Sequence, residues 1–155
     1  MRQHIFRGQT KGKEWVHGDL ITVTGLQDNS SWMIKSLNPE GTICYDYVSP
    51  ESVGEYLADD ILDNHNTLIC EGDIVIFKKT GADKSDSIRG VVKYDDARFI
   101  VDQITEGSYS FNDDTLGCEY FLEFYTEDGP EFGWYELQVI GNSIDNPELL
   151  EIGEL

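Results

Sequence analysis

The stretch that most constrains the fold is the apolar run Ile74–Phe77, which directly follows the dipeptide Gly72-Asp73. Three β-branched residues in an uninterrupted apolar run predict a strand that is buried on both faces. A hairpin is predicted next, because Gly90–Tyr94 and Phe99–Val101 flank a polar turn at Asp95-Asp96. Turn, buried strand, long polar loop and hairpin together predict a small SH3-like barrel, a fold that serves many unrelated functions.

The residues before this run also predict strands. Gln3–Arg7, Glu14–Val23 and Ser31–Leu37 are rich in strand-forming residues. Asn38–Gly41 combines Asn, Pro and Gly and is a strong turn signal. The chain is therefore expected to be mainly β, with a smaller β-rich N-terminal part.

The chain is expected to divide at an irregular acidic stretch. We predict a β-rich N-terminal segment over residues 1–57, an acidic hinge over residues 58–66, and the barrel over residues 67–155. A short C-terminal helix is predicted at the end of the barrel part. Asn146 is a preferred N-cap, Pro147 suits the first helical position, and an acidic residue follows.

The net charge of −19, from 30 acidic and 11 basic residues, limits the function classes. A field of this sign repels nucleic acid and removes the phosphate-neutralising contribution to binding, so direct nucleic-acid binding is not expected. Two interpretations remain: the charge keeps the protein soluble, or an acidic surface engages a basic partner. No apolar run approaches the roughly 20 residues of a membrane span, and the N-terminus lacks a signal-peptide core. The expected location is cytoplasmic.

The sequence offers no motif that is typical of catalysis. It contains no nucleophile elbow, phosphate-binding loop or dinucleotide fingerprint, and His4, His17 and His65 are not spaced as zinc ligands. Residues 112–123 resemble a calcium-binding EF-hand loop, but Leu116 occupies a ligand position. Three cysteines without CxxC spacing predict reduced thiols. We expect no catalytic, cofactor-binding or metal-binding residue.

Two segments carry a resemblance to a known family. One is Ile69–Val75, with the core Glu-Gly-Asp-Ile-Val, and the other is Val139–Leu150, which ends in Asn-Pro-Glu-Leu-Leu. Phe6–Gly8, Trp15–Asp19 and Val53–Tyr56 add matches in the same order along the chain. With these segments the sequence resembles the YopX family of phage and prophage proteins.

The resemblance implies a phage-type protein in the host bacterial cytoplasm, with a C-terminal part similar to an SH3-like barrel. It brings no established reaction, cofactor or catalytic residue. Leu57–Asn66 departs from the family pattern, because acidic or neutral residues replace lysines, so a ligand of that segment need not be shared. The motif residues are interpreted as structural, since glycines allow tight turns and Asp and Asn bond turn backbones. They are Gly72, Asp73, Gly141, Asn142, Asn146 and Pro147.

We therefore expect a phage- or prophage-encoded, non-enzymatic protein-interaction module that acts as a homo-oligomer with unidentified host or phage protein partners. One alternative is an acidic decoy that mimics nucleic acid and occupies a host DNA-binding protein. Another is an enzyme of unrecognised class. If aromatic side chains bind the partner, Trp134 and Tyr135 near the Gly129-Pro130 turn are the candidates. Strand alternation buries only about half of the aromatics in a strand.

Overall fold

The computed structural model describes residues 4–24, 30–57, 62–63, 65–79, 87–95, 98–104, 119–121 and 135–151. The chain divides into two compact units, Met1–Ala58 and Asp59–Leu155. Each unit contains one antiparallel sheet of five strands. The predicted mainly β class is confirmed.

The N-terminal sheet has the strand order β4-β3-β2-β1-β5. A 3-10 turn, Pro50–Ser52, lies between β4 and β5 along the chain. Most of its strands follow each other as antiparallel neighbours, as expected for segments joined by short turns. The strands are β1 (Phe6–Gln9), β2 (Trp15–Thr24), β3 (Ser30–Leu37), β4 (Ile43–Tyr47) and β5 (Gly54–Glu55).

The N-terminal sheet curls so that the end of β4 meets the end of β1. Thr10 forms a bridge with Val48, and the Ser49 N–H donates to the Gln9 carbonyl at 2.9 Å. Because β2 and β3 lie between these strands in the sheet, such contacts require strong curvature. The concave side holds Val48 and Ile34, which are both buried.

The C-terminal sheet has the order β10-β6-β7-β8-β9. Ile74 and Val75 at the start of β6 are both fully buried, and adjacent strand residues point to opposite faces. This confirms the predicted strand with two covered faces, and the pairing of β7 with β8 confirms the predicted hairpin. The strands are β6 (Asp73–Lys79), β7 (Ile88–Asp95), β8 (Arg98–Gln103), β9 (Glu119–Phe121) and β10 (Tyr135–Asn142).

Two details of the C-terminal unit differ from the prediction. Within the described residues, no pairing joins the edge strands β9 and β10, so the sheet is open rather than a closed barrel. The predicted C-terminal helix is a 3-10 turn, Pro147–Leu150, in which the Leu149 N–H donates to the Asn146 carbonyl. Four residues are too few for α-helical bonds to propagate, and the tighter i to i+3 pattern closes the turn instead.

Gly18 is predicted to be essential for the pairing of β2 with β3. A Cβ at this position would overlap the Lys35 carbonyl oxygen, whereas a Cβ at Gly41 would meet nothing within 4 Å. Gly18→Ala is expected to lower the free energy of unfolding by about 2–3 kcal/mol through this overlap. Gly41→Ala is the control, with a cost of about 1 kcal/mol from its φ of +78°. Urea unfolding measures the free energy of unfolding of both variants. Equal losses of this free energy would contradict the prediction.

Candidate functional site

The two motifs on which the family resemblance rests meet at one end of the C-terminal sheet. Asp73 begins β6, Asn142 ends β10, and these two residues pair with each other. The Gly72 N–H donates to the Val92 carbonyl at 2.8 Å, and the Gly72 carbonyl accepts from the Ser143 N–H at 2.9 Å. We call this group the turn junction, and it comprises Gly72, Asp73, Gly141, Asn142, Asn146 and Pro147.

Polar side chains of the turn junction bond backbone amides. Asp73 Oδ2 accepts from the Cys70 N–H at 2.8 Å, and Asn142 Oδ1 accepts from two amides that follow it. Asn146 Oδ1 accepts from the Asn142 N–H at 3.3 Å, so its side chain does not cap the 3-10 turn. A Cβ at Gly141 would lie 2.5 Å from this oxygen, so only glycine allows the close approach. These contacts hold turns in place.

Asp63 attaches the segment before β6 to the edge strand β10. Its Oδ1 accepts from the His65 and Thr67 amides at 2.8 Å, and its Oδ2 accepts from the Val139 N–H at 2.9 Å. Burial by itself raises the pKa of the Asp63 carboxyl, but the bonds from Thr67, Val139 and His65 outweigh it and hold the pKa below its ordinary value. A residue assigned to an acidic hinge is thus a buried carboxylate with a structural role.

A cluster of polar and aromatic side chains lies on β1 and β2. Arg7 is paired with His17 across the two strands, and its guanidinium lies 5.0 Å from the centre of the Trp15 ring. The Tyr56 hydroxyl lies 2.6 Å from His17 Nδ1. Burial, and then the charge of Arg7, lower the pKa of His17, so this side chain is neutral at neutral pH. The cluster ties β1, β2 and the residue after β5 together.

The convex side of the N-terminal sheet is apolar and exposed to solvent. Register places Tyr47 beside Met33, and Tyr45 beside Lys35, on the side opposite to the buried Ile34. Leu37, also on this side, is 70% exposed, and Tyr47 and Tyr45 are 65% and 56% exposed. We call this surface the outer face, and it comprises Ile21, Val23, Met33, Lys35, Leu37, Ile43, Tyr45 and Tyr47.

The outer face brings several large exposed apolar side chains side by side on one surface, instead of scattering them singly. At about 200 Å² per aromatic side chain, its two tyrosines alone leave more than about 200 Å² in water. Contiguous exposed apolar patches larger than a few hundred Å² mark interaction sites. Lys35 adds a charged group, which pairs with Asp19 at 3.6 Å. The outer face therefore has the composition of a binding surface.

The strand β4 forms one edge of this sheet, and its backbone orientation follows from two hydrogen bonds. The Val48 N–H donates to the Trp32 carbonyl at 3.0 Å, and the Asn38 N–H donates to the Thr42 carbonyl at 3.0 Å. Hydrogen-bonded pairs alternate along an antiparallel ladder, so even-numbered residues of β4 bond to β3. The N–H and C=O groups of Ile43 and Tyr45 consequently point away from the sheet.

The predicted binding residues Trp134 and Tyr135 belong to the second unit, Asp59–Leu155, and their role in binding stays a prediction. Trp134 lies outside the described residues, as does most of the EF-hand-like segment 112–123. Tyr135 begins β10, where its backbone pairs with Lys79. Sequence reasoning missed the outer face, although apolar residues alternate with other residues along Ile43–Tyr47. That alternation indicates a strand with one apolar face, but it does not indicate that this face is exposed.

Comparison with known proteins identifies one family. A family model described as YopX protein matches residues 5–151, nearly the whole chain. No curated protein and no solved structure matches the chain significantly. Among the described residues, no helix has the length and apolar character needed to cross a membrane, and His, Cys, Asp and Glu form no group of three or more that could hold a metal ion.

Removing the Asp63 carboxylate is predicted to destabilise the C-terminal unit in a pH-dependent way. The folded pKa lies below the ordinary value of 3.8, so the stability it contributes is complete above about pH 4 and is lost as pH falls through the folded pKa. Asp63→Asn should lower the free energy of unfolding by about 1–3 kcal/mol at pH 7, because buried amides lose their acceptor. The difference from wild type should shrink in acid.

Urea unfolding between neutral and acidic pH measures this difference. The matched control is Glu148→Gln, which removes an exposed carboxylate from the same unit and should leave stability nearly unchanged. An Asp63→Asn variant as stable as wild type at pH 7, or a difference that grows in acid, would contradict the role given to Asp63.

Proposed function

We propose that this chain, which belongs to the YopX family, is a phage- or prophage-encoded protein-interaction module without catalytic activity. The exposed apolar outer face of the N-terminal sheet is the observation that carries the proposal. Its tyrosines are the residue type that is enriched at interface hot spots, where a large ring is buried and a hydroxyl bonds the partner. The protein partner comes from the host or the phage.

The construction of the outer face suits binding. Its side chains stand on three paired strands, β2, β3 and β4, so the backbone beneath them is held by the ladder. The turn between β3 and β4 is fixed as well, because Asn38 Oδ1 accepts from the Glu40 and Thr42 amides at 3.1 and 2.8 Å. A partner that binds a preorganised surface loses less conformational entropy than one that must order it.

The charge of the chain is distributed unequally between its two units. Residues 1–58 contain five Lys or Arg and seven Asp or Glu, a net charge of −2, whereas residues 59–155 contain six against 23, a net charge of −17. The outer face thus belongs to the nearly neutral unit. Apolar burial, rather than attraction between opposite charges, is therefore the expected source of affinity at this surface.

The same distribution favours a second candidate function. An acidic decoy needs a dense negative surface that resembles a phosphate backbone, and 23 of the 30 acidic residues lie in the C-terminal unit. Such a decoy would bind a basic host protein through charge. Homo-oligomerisation is compatible with both functions and stays a prediction, which light scattering of the purified chain tests.

Salt dependence separates the two functions. A tagged chain is used to recover partners from host lysate at about 0.05 and about 0.5 M salt, between which the Debye length falls from about 14 Å to about 4 Å. Binding through the outer face should survive high salt, since apolar burial is not screened. A variant with both Tyr45→Ser and Tyr47→Ser should recover at least about tenfold less partner.

The matched control is Tyr94→Ser, which removes a half-exposed tyrosine from the C-terminal sheet. It should leave recovery unchanged. A complex that disappears at high salt and is indifferent to the double substitution would contradict the interaction module and support the decoy.

A further inference from the structure

We propose that the edge of β4 binds an extended segment of a partner protein as an added strand. The inference rests on the proposed function and gives it a binding mode and a partner chemistry. It is based on two features of β4. One edge of this strand is open, and the apolar side chains of the same strand are exposed.

The open edge presents backbone N–H and C=O groups in an alternating order, and another extended backbone presents the complementary order. Ile43 and Tyr45 direct two N–H and two C=O groups outward, and these groups bond no other described residue. An added strand would lie about 4.8 Å away and accept and donate in the same alternating pattern. Strand addition of this kind draws affinity from the main chain and specificity from side-chain contacts.

The side chains next to this edge match a strand with apolar residues at alternate positions. Ile43 and Tyr45 stand on the outer face, and Leu37 and Tyr47 extend that face beside them. Cross-strand neighbours on one face come within about 5 Å of each other, so apolar side chains of the added strand would cover the β4 residues Ile43, Tyr45 and Tyr47, whereas Leu37 on β3 lies one strand further away. The added strand would then bury both the outward backbone groups and the exposed side chains of β4.

The fold limits the length of the added strand. At one end of β4, Val48 turns toward Thr10 of the β1 end and closes the edge. At the other end, the chain enters the hairpin turn that Asn38 holds. The open edge between these points spans two outward-facing residues. An added segment of about four or five residues is therefore sufficient to use all of its hydrogen bonds.

Charge selects the chemistry of the partner. The unit that contains β4 carries only −2, so charge supplies little affinity at this edge, but the −19 of the whole chain still repels an acidic segment at long range and does not oppose a neutral or basic one. A second copy of this chain brings another −19 and is disfavoured as the occupant of this edge for the same reason, while homo-oligomerisation through another surface stays a prediction. The occupant is thus a neutral-to-basic segment of a different protein, with β-branched or aromatic residues at alternate positions.

The test uses the full chain and a synthetic peptide in which valine alternates with lysine. Isothermal calorimetry compares wild type with Tyr45→Pro and Tyr45→Thr. Both substitutions remove the tyrosine ring, but only proline removes the outward N–H. This N–H is not used by β3, so both variants should keep the cooperative unfolding transition of wild type. Tyr45→Pro should bind at least about tenfold more weakly than Tyr45→Thr.

A second arm keeps the test informative if Tyr45→Pro does not fold. Two versions of the peptide carry N-methyl groups on alternate amides, one version for each edge of the peptide strand. Only one edge of an added strand faces β4, so one version should lose binding to wild type and the other should keep it. Loss from both versions, or from neither, would overturn strand addition.

The remaining outcomes of these measurements also distinguish strand addition from its alternatives. Equal binding by Tyr45→Pro and Tyr45→Thr would overturn strand addition and leave the interaction module standing, with side-chain contacts as its basis. No binding of the peptide to wild type at about 1 mM would also overturn strand addition. Equal binding of a peptide with glutamate in place of lysine would overturn the charge selection. Self-association that the peptide displaces and Tyr45→Pro abolishes would make a second copy the occupant.

Discussion

Backbone pairing between the end of β4 and the end of β1 determines which side of the N-terminal sheet meets water. The bridge between Thr10 and Val48, with the bond from the Ser49 amide, curls the sheet so that Ile34 and Val48 are enclosed. Because strand residues alternate between faces, enclosing the even-numbered residues of β3 and β4 exposes their odd-numbered neighbours. The apolar outer face is thus a consequence of curvature, and the outward backbone groups of β4 follow from the same register.

The distribution of charge gives this surface its physical character. Had the 30 acidic residues been spread evenly, every surface of the chain would repel acidic groups and favour basic ones. Their concentration in residues 59–155 leaves the N-terminal unit nearly neutral, so short-range burial can dominate at its outer face. The proposed apolar binding at the outer face and the alternative electrostatic binding by the acidic unit therefore predict opposite salt dependence.

The sequence predicted those features that depend on neighbours along the chain. The run after Gly72-Asp73, the hairpin of β7 and β8, and the turn at Asn38–Gly41 are all local patterns, and the structure contains each of them. Along Ile43–Tyr47, in contrast, alternation alone would place the apolar residues inside, yet they are exposed because the curl of the sheet encloses the other side. Asp63 could not be predicted either, since its bond to Val139 joins distant segments.

Both proposals require that β4 is an open edge beneath an exposed apolar face. Amide hydrogen exchange of the free chain, followed residue by residue with NMR, tests it most directly. Cys44 and Asp46, whose N–H groups bond to β3, should exchange slowly, and Ile43 and Tyr45 should exchange at least about tenfold faster. Equal protection of all four amides in the free chain would show that the edge is already covered and would contradict the account.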